Sequence, residues 1–304
     1  MSHSIHTGFA HAVADLNNTP VNDRMVMLPG VGRAYARDNW AGFYAASIHT
    51  NVVSEETHSH RTLLEAMSKA GGHDRNSVYM GCAGFLNFSY IAAMRPAAAI
   101  LFDINPLQTL FWQKTIKGLE TSPSYAAFVK YMKDTGPALE AAALLACGNR
   151  AVDLEQSSIS IRRDPQPPVI NGLFREVAAP NEDKWWKGDT VELRWRGSDY
   201  VYLHMMAKSG ALGALTIDMT DQAAWTQLSE RLDHVGRHVG VMYASNALNF
   251  LAKGHCWSHG DTAYFAADDA RDNFKLAARG KVQHIITERA SPSLLQAVRT
   301  PQMA

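Results

Sequence analysis

The stretch that most constrains this chain is residues 77–103, where two short apolar segments flank a glycine turn and a helix. Ser77-Val-Tyr-Met80 reads as a short strand. It runs into Gly81-Cys-Ala-Gly84 and then into Phe85-Leu-Asn-Phe-Ser-Tyr-Ile-Ala-Ala-Met94, a helix closed by Pro96. Ala97–Phe102 is apolar without a break and of strand length, and Asp103 follows it. Continuous apolarity suits a strand covered on both faces, as in a parallel sheet. The unit is strand, glycine turn, helix, strand, acid.

A second alternating unit lies downstream. Ala214-Leu-Thr-Ile217 reads as a strand with Asp218 at its end. Asp221–His234 reads as a helix with Trp225, Leu228 and Leu232 facing inward. Val239-Gly-Val-Met-Tyr243 is another buried strand, ending in Ala244-Ser245-Asn246, and Lys281–Thr287 is a last one. Upstream, Ser54 opens a helix with Glu55 and Glu56 in its first turn and Leu63, Leu64 and Met67 on its apolar stripe, stopped by Gly71-Gly72. The first fifty residues read as irregular, with scattered aromatics. Residues 104–213 read as mostly helical, with helices at Leu107–Lys117, Ser124–Lys133 and Leu139–Cys147 and one at Asp199–Lys208 capped by Ser198. The expected fold is α/β: a doubly wound Rossmann-like sheet in residues 54–304, a mostly helical insertion at 104–213, and an N-terminal cap at 1–53.

Charge and cysteine content exclude several classes. The 304 residues carry 29 basic and 29 acidic side chains, so the formal net charge is zero. Nucleic-acid coats and polybasic membrane binders rely on clustered positive charge, and neither is expected. Cys82, Cys147 and Cys256 form no CxxC pair, which argues against a disulfide framework and a thiolate zinc site. The N-terminal MSHSIHTGFAHAVADLNN has no basic segment followed by a long apolar run. The apolar stretches at Ala97–Phe102 and Ala138–Cys147 fall short of the ~20 residues of a spanning helix. These features predict a cytoplasmic protein with no nucleic-acid partner and no membrane; they leave room for self-association.

The candidate chemistry gathers at strand ends. A glycine turn after a strand lets a ligand approach the backbone, and the following helix offers N–H groups to it. Asp103 lies 22 residues after Gly81, near the ~20 expected for an acid that accepts from ribose hydroxyls. The plain alternative is a tight turn with a solvated acid. Asp218 and Ser245-Asn246 also follow strands, and ligands of open α/β sheets bind outside the carboxyl ends. Four strands would thus aim Gly81/Gly84, Asp103, Asp218 and Ser245/Asn246 at one edge, although each alone could be a helix cap or turn residue. Among the 13 histidines, His58, His60 and His204 suit a general base. His255 and His259 have metal-ligand spacing, but Gly254 and Gly260 flank them and no Glu lies between, so a loop without metal is expected. Cys82 reads as a packing residue.

At these positions the chain resembles the class I S-adenosylmethionine-dependent methyltransferases. In that family a glycine turn after strand one cradles the methionine part and an acid ending strand two holds the ribose. A polar residue after strand three meets the adenine, and a polar motif after strand four faces the reacting group. The resemblance implies that Gly81, Ala83, Gly84, Asp103, Ile104, Asp218, Met219 and Ser245 hold S-adenosylmethionine. It implies a small-molecule substrate whose amine or hydroxyl acceptor is oriented by Tyr243 and Asn246; a base such as His204, or bulk water, would take the proton afterwards. More narrowly, Val53-Ser-Glu-Glu56, Asn87-Phe-Ser-Tyr-Ile-Ala92, Asp103-Ile104 and Tyr243-Ala-Ser-Asn246 look like segments of a little-characterised bacterial methyltransferase-like group. The turn is Met-Gly-Cys-Ala-Gly where the broad family has Gly-x-Gly-x-Gly, and Asp103-Ile-Asn-Pro106 replaces the narrower group's basic continuation. The insertion, with Phe111, Trp112, Tyr125, Tyr131, Trp185 and Trp186, is expected to line or close the acceptor pocket; the plain alternative is that these rings are core. Three other activities suit the same residues: aminocarboxypropyl transfer from the same cofactor, nicotinamide-dependent oxidoreduction, and ligand binding without catalysis.

Overall fold

The structure is a computed structural model, and it describes residues 9, 13, 16, 76–82, 84–103, 106–147, 197–245, 247–248, 262–281, 283–287 and 296–298. In chain order the elements are β1 (Ser77–Gly81), α1 (Leu86–Met94), β2 (Ala98–Asp103), α2 (Pro106–Thr121), α3 (Tyr125–Cys147), α4 (Ser198–Lys208), β3 (Leu212–Thr216), α5 (Gln222–His234), β4 (His238–Ser245), α6 (Thr262–Ala278), β5 (Gln283–Thr287) and β6 (Gln296–Val298). The six strands form one sheet in the order β3-β2-β1-β4-β5-β6. The first five are parallel, and β6 runs antiparallel to β5. The expected parallel α/β sheet is therefore present.

The apolar runs explain why the strands are central. Every residue of β3 is buried, as is β2 up to Asp103 and β1 after Ser77. One group of helices packs through Phe85, Phe88, Phe111 and Trp112, whose rings meet at 4.9–6.0 Å. The other packs through Phe102, Trp225 and Phe274, with Trp225 5.9 Å from Phe102 and 5.1 Å from Phe274. Strands β1, β2 and β3 step one way across the sheet and β4 and β5 the other. Right-handed crossovers then put α1, α2 and α4 on one face and α5 and α6 on the opposite one.

Several expectations shift in detail. Phe9, Val13 and Leu16, in the segment read as irregular, are helical and buried in the main core, with Val13 lying over Gly213. Their 4- and 3-residue spacing is one helical face. The two helices expected at 124–133 and 139–147 are one, α3, running through Gly136-Pro137. Proline removes one intrahelical donor, which a 23-residue helix packed on α2 tolerates. Ser198 is the first residue of α4 rather than its cap, a place taken by Gly197. Helix α6 and strand β6 were not expected. The helix expected from Ser54, and the loops at 164–168 and 185–188, lie outside the described residues.

Arg95 ends α1 in the left-handed region, at φ 55°. That conformation is costly for a residue with a Cβ. The guanidinium is held by Asp199 and lies 4.3 Å over the Tyr202 ring, so α4 fastens the α1–β2 corner. Among the described residues no helix is long and apolar enough to cross a membrane.

Candidate functional site

The strand order reverses direction between β1 and β4, so the crevice of the sheet opens at their carboxyl ends. Gly81 faces Leu101 of β2 on one side and Tyr243 of β4 on the other. The ladder continues one residue further, Cys82 N–H donating to the Tyr243 carbonyl at 3.1 Å. Asp103 is opposite Thr216, and its carbonyl accepts from Ile217 N–H at 2.9 Å. The ends of four neighbouring strands, Gly81, Asp103, Thr216 and Ser245, thus meet along one edge. Asp103 is half-buried there.

Two bulges tune this edge. Val78 pairs with Val239 and Tyr79 with Val241, so Gly240 is an extra residue in β4. A side chain at Gly240 would overlap Ser77 Oγ and stand 2.9 Å from Ser77 Cβ, so the bulge requires glycine. A second shift falls between Tyr243 and Ser245 in the β4–β5 pairing. Bulges re-aim the residues that follow them, and this one lies at the mouth of the crevice.

The glycine turn is built differently from expectation. The space left by the missing Gly81 side chain is filled from within: a methyl there would overlap Asn87 Oδ1 and stand 2.6 Å from the Tyr79 hydroxyl. Tyr79 donates to Asn87 Oδ1 at 2.6 Å, and Asn87 Nδ2 donates to the carbonyls of Cys82 and Gly84, both at 2.8 Å. Burial, then the neighbouring Tyr90 and Cys82, push the Tyr79 hydroxyl well above the usual phenol range, so it stays protonated and donating. Sequence reasoning gave Tyr79 and Asn87 no role of their own. The signal was a single amide inside an apolar helical run, because a buried amide must find partners.

The remaining expected residues divide. Asp218 lies at the end of β3, where its Oδ1 accepts from the N–H and hydroxyl of Thr220, both at 2.9 Å, and its carbonyl accepts from Trp225 Nε1 at 2.8 Å. It therefore orders the turn before α5, which Asp221 caps by accepting from Ala224 N–H. Met219 is partly buried, and its carbonyl accepts from Asn273 Nδ2 at 2.9 Å. Cys82 is buried, as expected of a packing residue. Behind the Asp103 edge, Thr216 Oγ1 donates to Thr109 Oγ1 at 2.7 Å, and Gln108 beside it is fully buried.

Two side chains expected to be catalytic are not presented at the edge. Tyr243 is completely buried, its ring 5.1 Å from Tyr90, because the inward register of β4 makes it core. His204 is at the opposite end of the sheet. Its Nδ1 lies 2.6 Å from the Leu119 carbonyl near the end of α2, and it stacks on Tyr200. Helix α2 starts beside Asp103, and at 1.5 Å per residue Leu119 is about 20 Å down it. Of the insertion aromatics, Phe111 and Trp112 are core, Tyr131 packs on Gly118 of α2, and Tyr125 packs on Tyr200. These four pack within the helical layer. Ala83, Ile104, Asn246, the Ser245 side chain, His58, His60, His255, His259, Trp185 and Trp186 lie outside the described residues. No group of three metal-ligating side chains occurs among the described residues. A surface groove of about 770 Å³ runs between α5 and α6, reaching Thr220 at one end and Arg279 at the other.

A family model described as Domain of unknown function (DUF7790) matches residues 65–256, which include the glycine turn, Asp103, Asp218 and the end of β4. No curated protein matches the chain.

Proposed function

Because the chain belongs to this family, Domain of unknown function (DUF7790), whose description assigns no chemistry, we propose from its residues that it is a Rossmann-like S-adenosylmethionine-dependent methyltransferase acting on a small molecule. The observation behind the proposal is the joint placement of Gly81, Asp103, Asp218 and Ser245 at the carboxyl ends of β1, β2, β3 and β4, around the point where the strand order reverses. The order 3-2-1-4-5 is that of nucleotide-binding doubly wound sheets, with β6 reversed.

The residues fit an adenosyl group with a charged tail. Asp103, half-buried at the edge, is an acid that can accept from two vicinal hydroxyls. Helix α1 begins two residues after Gly84 and brings its positive end to the same crevice, where a carboxylate is favoured. The turn at 218–220, held by Asp218 on Thr220, follows Ile217, which is bonded to Asp103, and in this proposal it meets the adenine. When bound, the sulfonium of the cofactor supplies an electrophilic methyl. The protein's task is to align an acceptor with it and exclude water. Asn246, next after Ser245, is the acceptor-orienting residue of this proposal; Tyr243 supports the strand end from below.

The test is identification of what the purified protein binds. Mass spectrometry of ligand released on denaturation, with calorimetric titration of S-adenosylhomocysteine and NAD, separates the readings. An adenosyl sulfur compound is expected, and Asp103→Ala should weaken it by about 1.5–3 kcal/mol while the fold persists. Binding of NAD alone would move the protein to oxidoreduction, and binding of neither would leave it without a nucleotide function.

A further inference from the structure

Resting on the adenosyl-cofactor proposal, we infer that Tyr79 and Asn87 are positioning residues for the cofactor, a side-chain clamp that sets the turn at 81–84 from beneath. In a loop shaped by glycines, backbone freedom and empty space on the ligand side do this work. Gly81 uses neither. Its φ is not in the left-handed region, and the space beside it is occupied by Asn87 and Tyr79. The turn is held instead by three hydrogen bonds converging on one amide: Tyr79 hydroxyl to Asn87 Oδ1, and Asn87 Nδ2 to the Cys82 and Gly84 carbonyls. All three residues that supply this clamp or its seat, Tyr79, Gly81 and Asn87, are buried.

The clamp has a direction. The Gly84 carbonyl also accepts from Asn87 N–H at 3.3 Å, so it points along α1 and away from the carboxyl edge. A trans peptide carries its N–H opposite its carbonyl, so the Phe85 N–H is turned toward that edge. Asn87 thus fixes which side of the turn offers donors to an anionic group. The Cys82 carbonyl is drawn to the same amide, and Cys82 N–H is tied to Tyr243, so the turn is anchored to β4 across the crevice as well. Pre-organisation of this kind raises affinity because the site need not order itself on binding.

Two arms test the inference on the full-length protein. The first measures deuterium exchange of peptides covering residues 80–88 in the free wild type, Tyr79→Phe and Asn87→Leu. The second measures S-adenosylhomocysteine affinity by calorimetry, well below each variant's Tm. Asn87→Leu should speed exchange in those peptides selectively and weaken binding by about tenfold or more, with Tyr79→Phe in the same direction and smaller. A purely structural role would lower Tm and leave the affinity of the folded protein unchanged, which would overturn the inference. Exchange at wild-type rates in both variants would also overturn it. If Asn87→Leu does not fold, Tyr79→Phe, which keeps the ring, decides both arms. A wild type that binds no adenosyl compound overturns the cofactor proposal and the positioning role with it. Selective exchange in that case would mark the clamp as holding the turn alone.

Discussion

Gly240 shows how one residue sets the geometry of the crevice. It is the extra residue that brings Gly81 opposite Tyr243, and it is glycine because Ser77 lies where a side chain would be. Gly240→Ala forces Ser77 or the strand to move, and overpacking of this kind typically costs about 1–3 kcal/mol. The cost belongs to a pair, so it should be recovered by removing the partner. Ser77→Gly leaves only its backbone Cα, 3.8 Å away, near an added methyl at 240. Urea unfolding of the two single variants and the double should therefore give a coupling energy of about 1 kcal/mol or more in favour of the double. Additive effects would mean that the bulge relaxes and Ser77 is not what demands glycine there.

Among the described elements, α4 carries two phenols whose docking bonds depend on pH. Tyr200 donates to the Ser122 carbonyl at 2.9 Å and Tyr202 to the Pro96 carbonyl at 2.6 Å, so two phenols dock α4 onto the end of α2 and the start of β2. Burial pushes Tyr200 up to about 12, and burial raises Tyr202 as well, although Arg95 opposes it. A phenol that keeps its proton longer when folded than unfolded contributes fully below its ordinary value near 10. Its contribution fades as pH rises toward the folded value. Urea midpoints should be flat between about pH 8 and 9.5 and fall above about pH 10, and Tyr200→Phe with Tyr202→Phe should flatten that fall, leaving the part due to Tyr79. An equal fall in the double variant would show that other groups govern it. This docking was not legible in the sequence, where α4 showed only as a helix capped by Ser198, because carbonyl partners 78 and 106 residues away leave no local pattern. The strands were legible because their burial on both faces leaves unbroken apolar runs, as in Ala98–Phe102. Helix α6 was missed although Ala270, Phe274 and Ala277 share one buried face, since the charges between them, Arg271, Asp272 and Lys275, dominate the local composition. At the site, Gly81 and Asp103 stood out by type and spacing. Tyr79 and Asn87 did not, because a clamp is a relation between side chains that only the fold reveals.

At the scale of the whole molecule, one core joins N-terminal residues to the sheet. Phe9, Val13 and Leu16 belong to the same buried cluster as β1 to β4, and Val13 lies against Gly213 in β3, the strand at the sheet's edge. An N-terminal segment that merely covered the crevice could detach without unfolding the sheet. One that supplies core side chains cannot, since their removal leaves cavities in a close-packed interior. Phe9 is completely buried, so Phe9→Ala should cost about 3–5 kcal/mol, the range for deleting a buried aromatic ring. For a domain of this size, that is a drop in Tm on the order of 10 °C. The shape of the transition distinguishes the two cases. With a shared core, far-UV circular dichroism and tryptophan fluorescence, to which the fully buried Trp112 and Trp225 contribute, should move together to the lower temperature in one step. If the tryptophan transition stayed at the wild-type temperature while only helical signal was lost early, Phe9, Val13 and Leu16 would belong to an appendage, and the sheet with its crevice would stand without it.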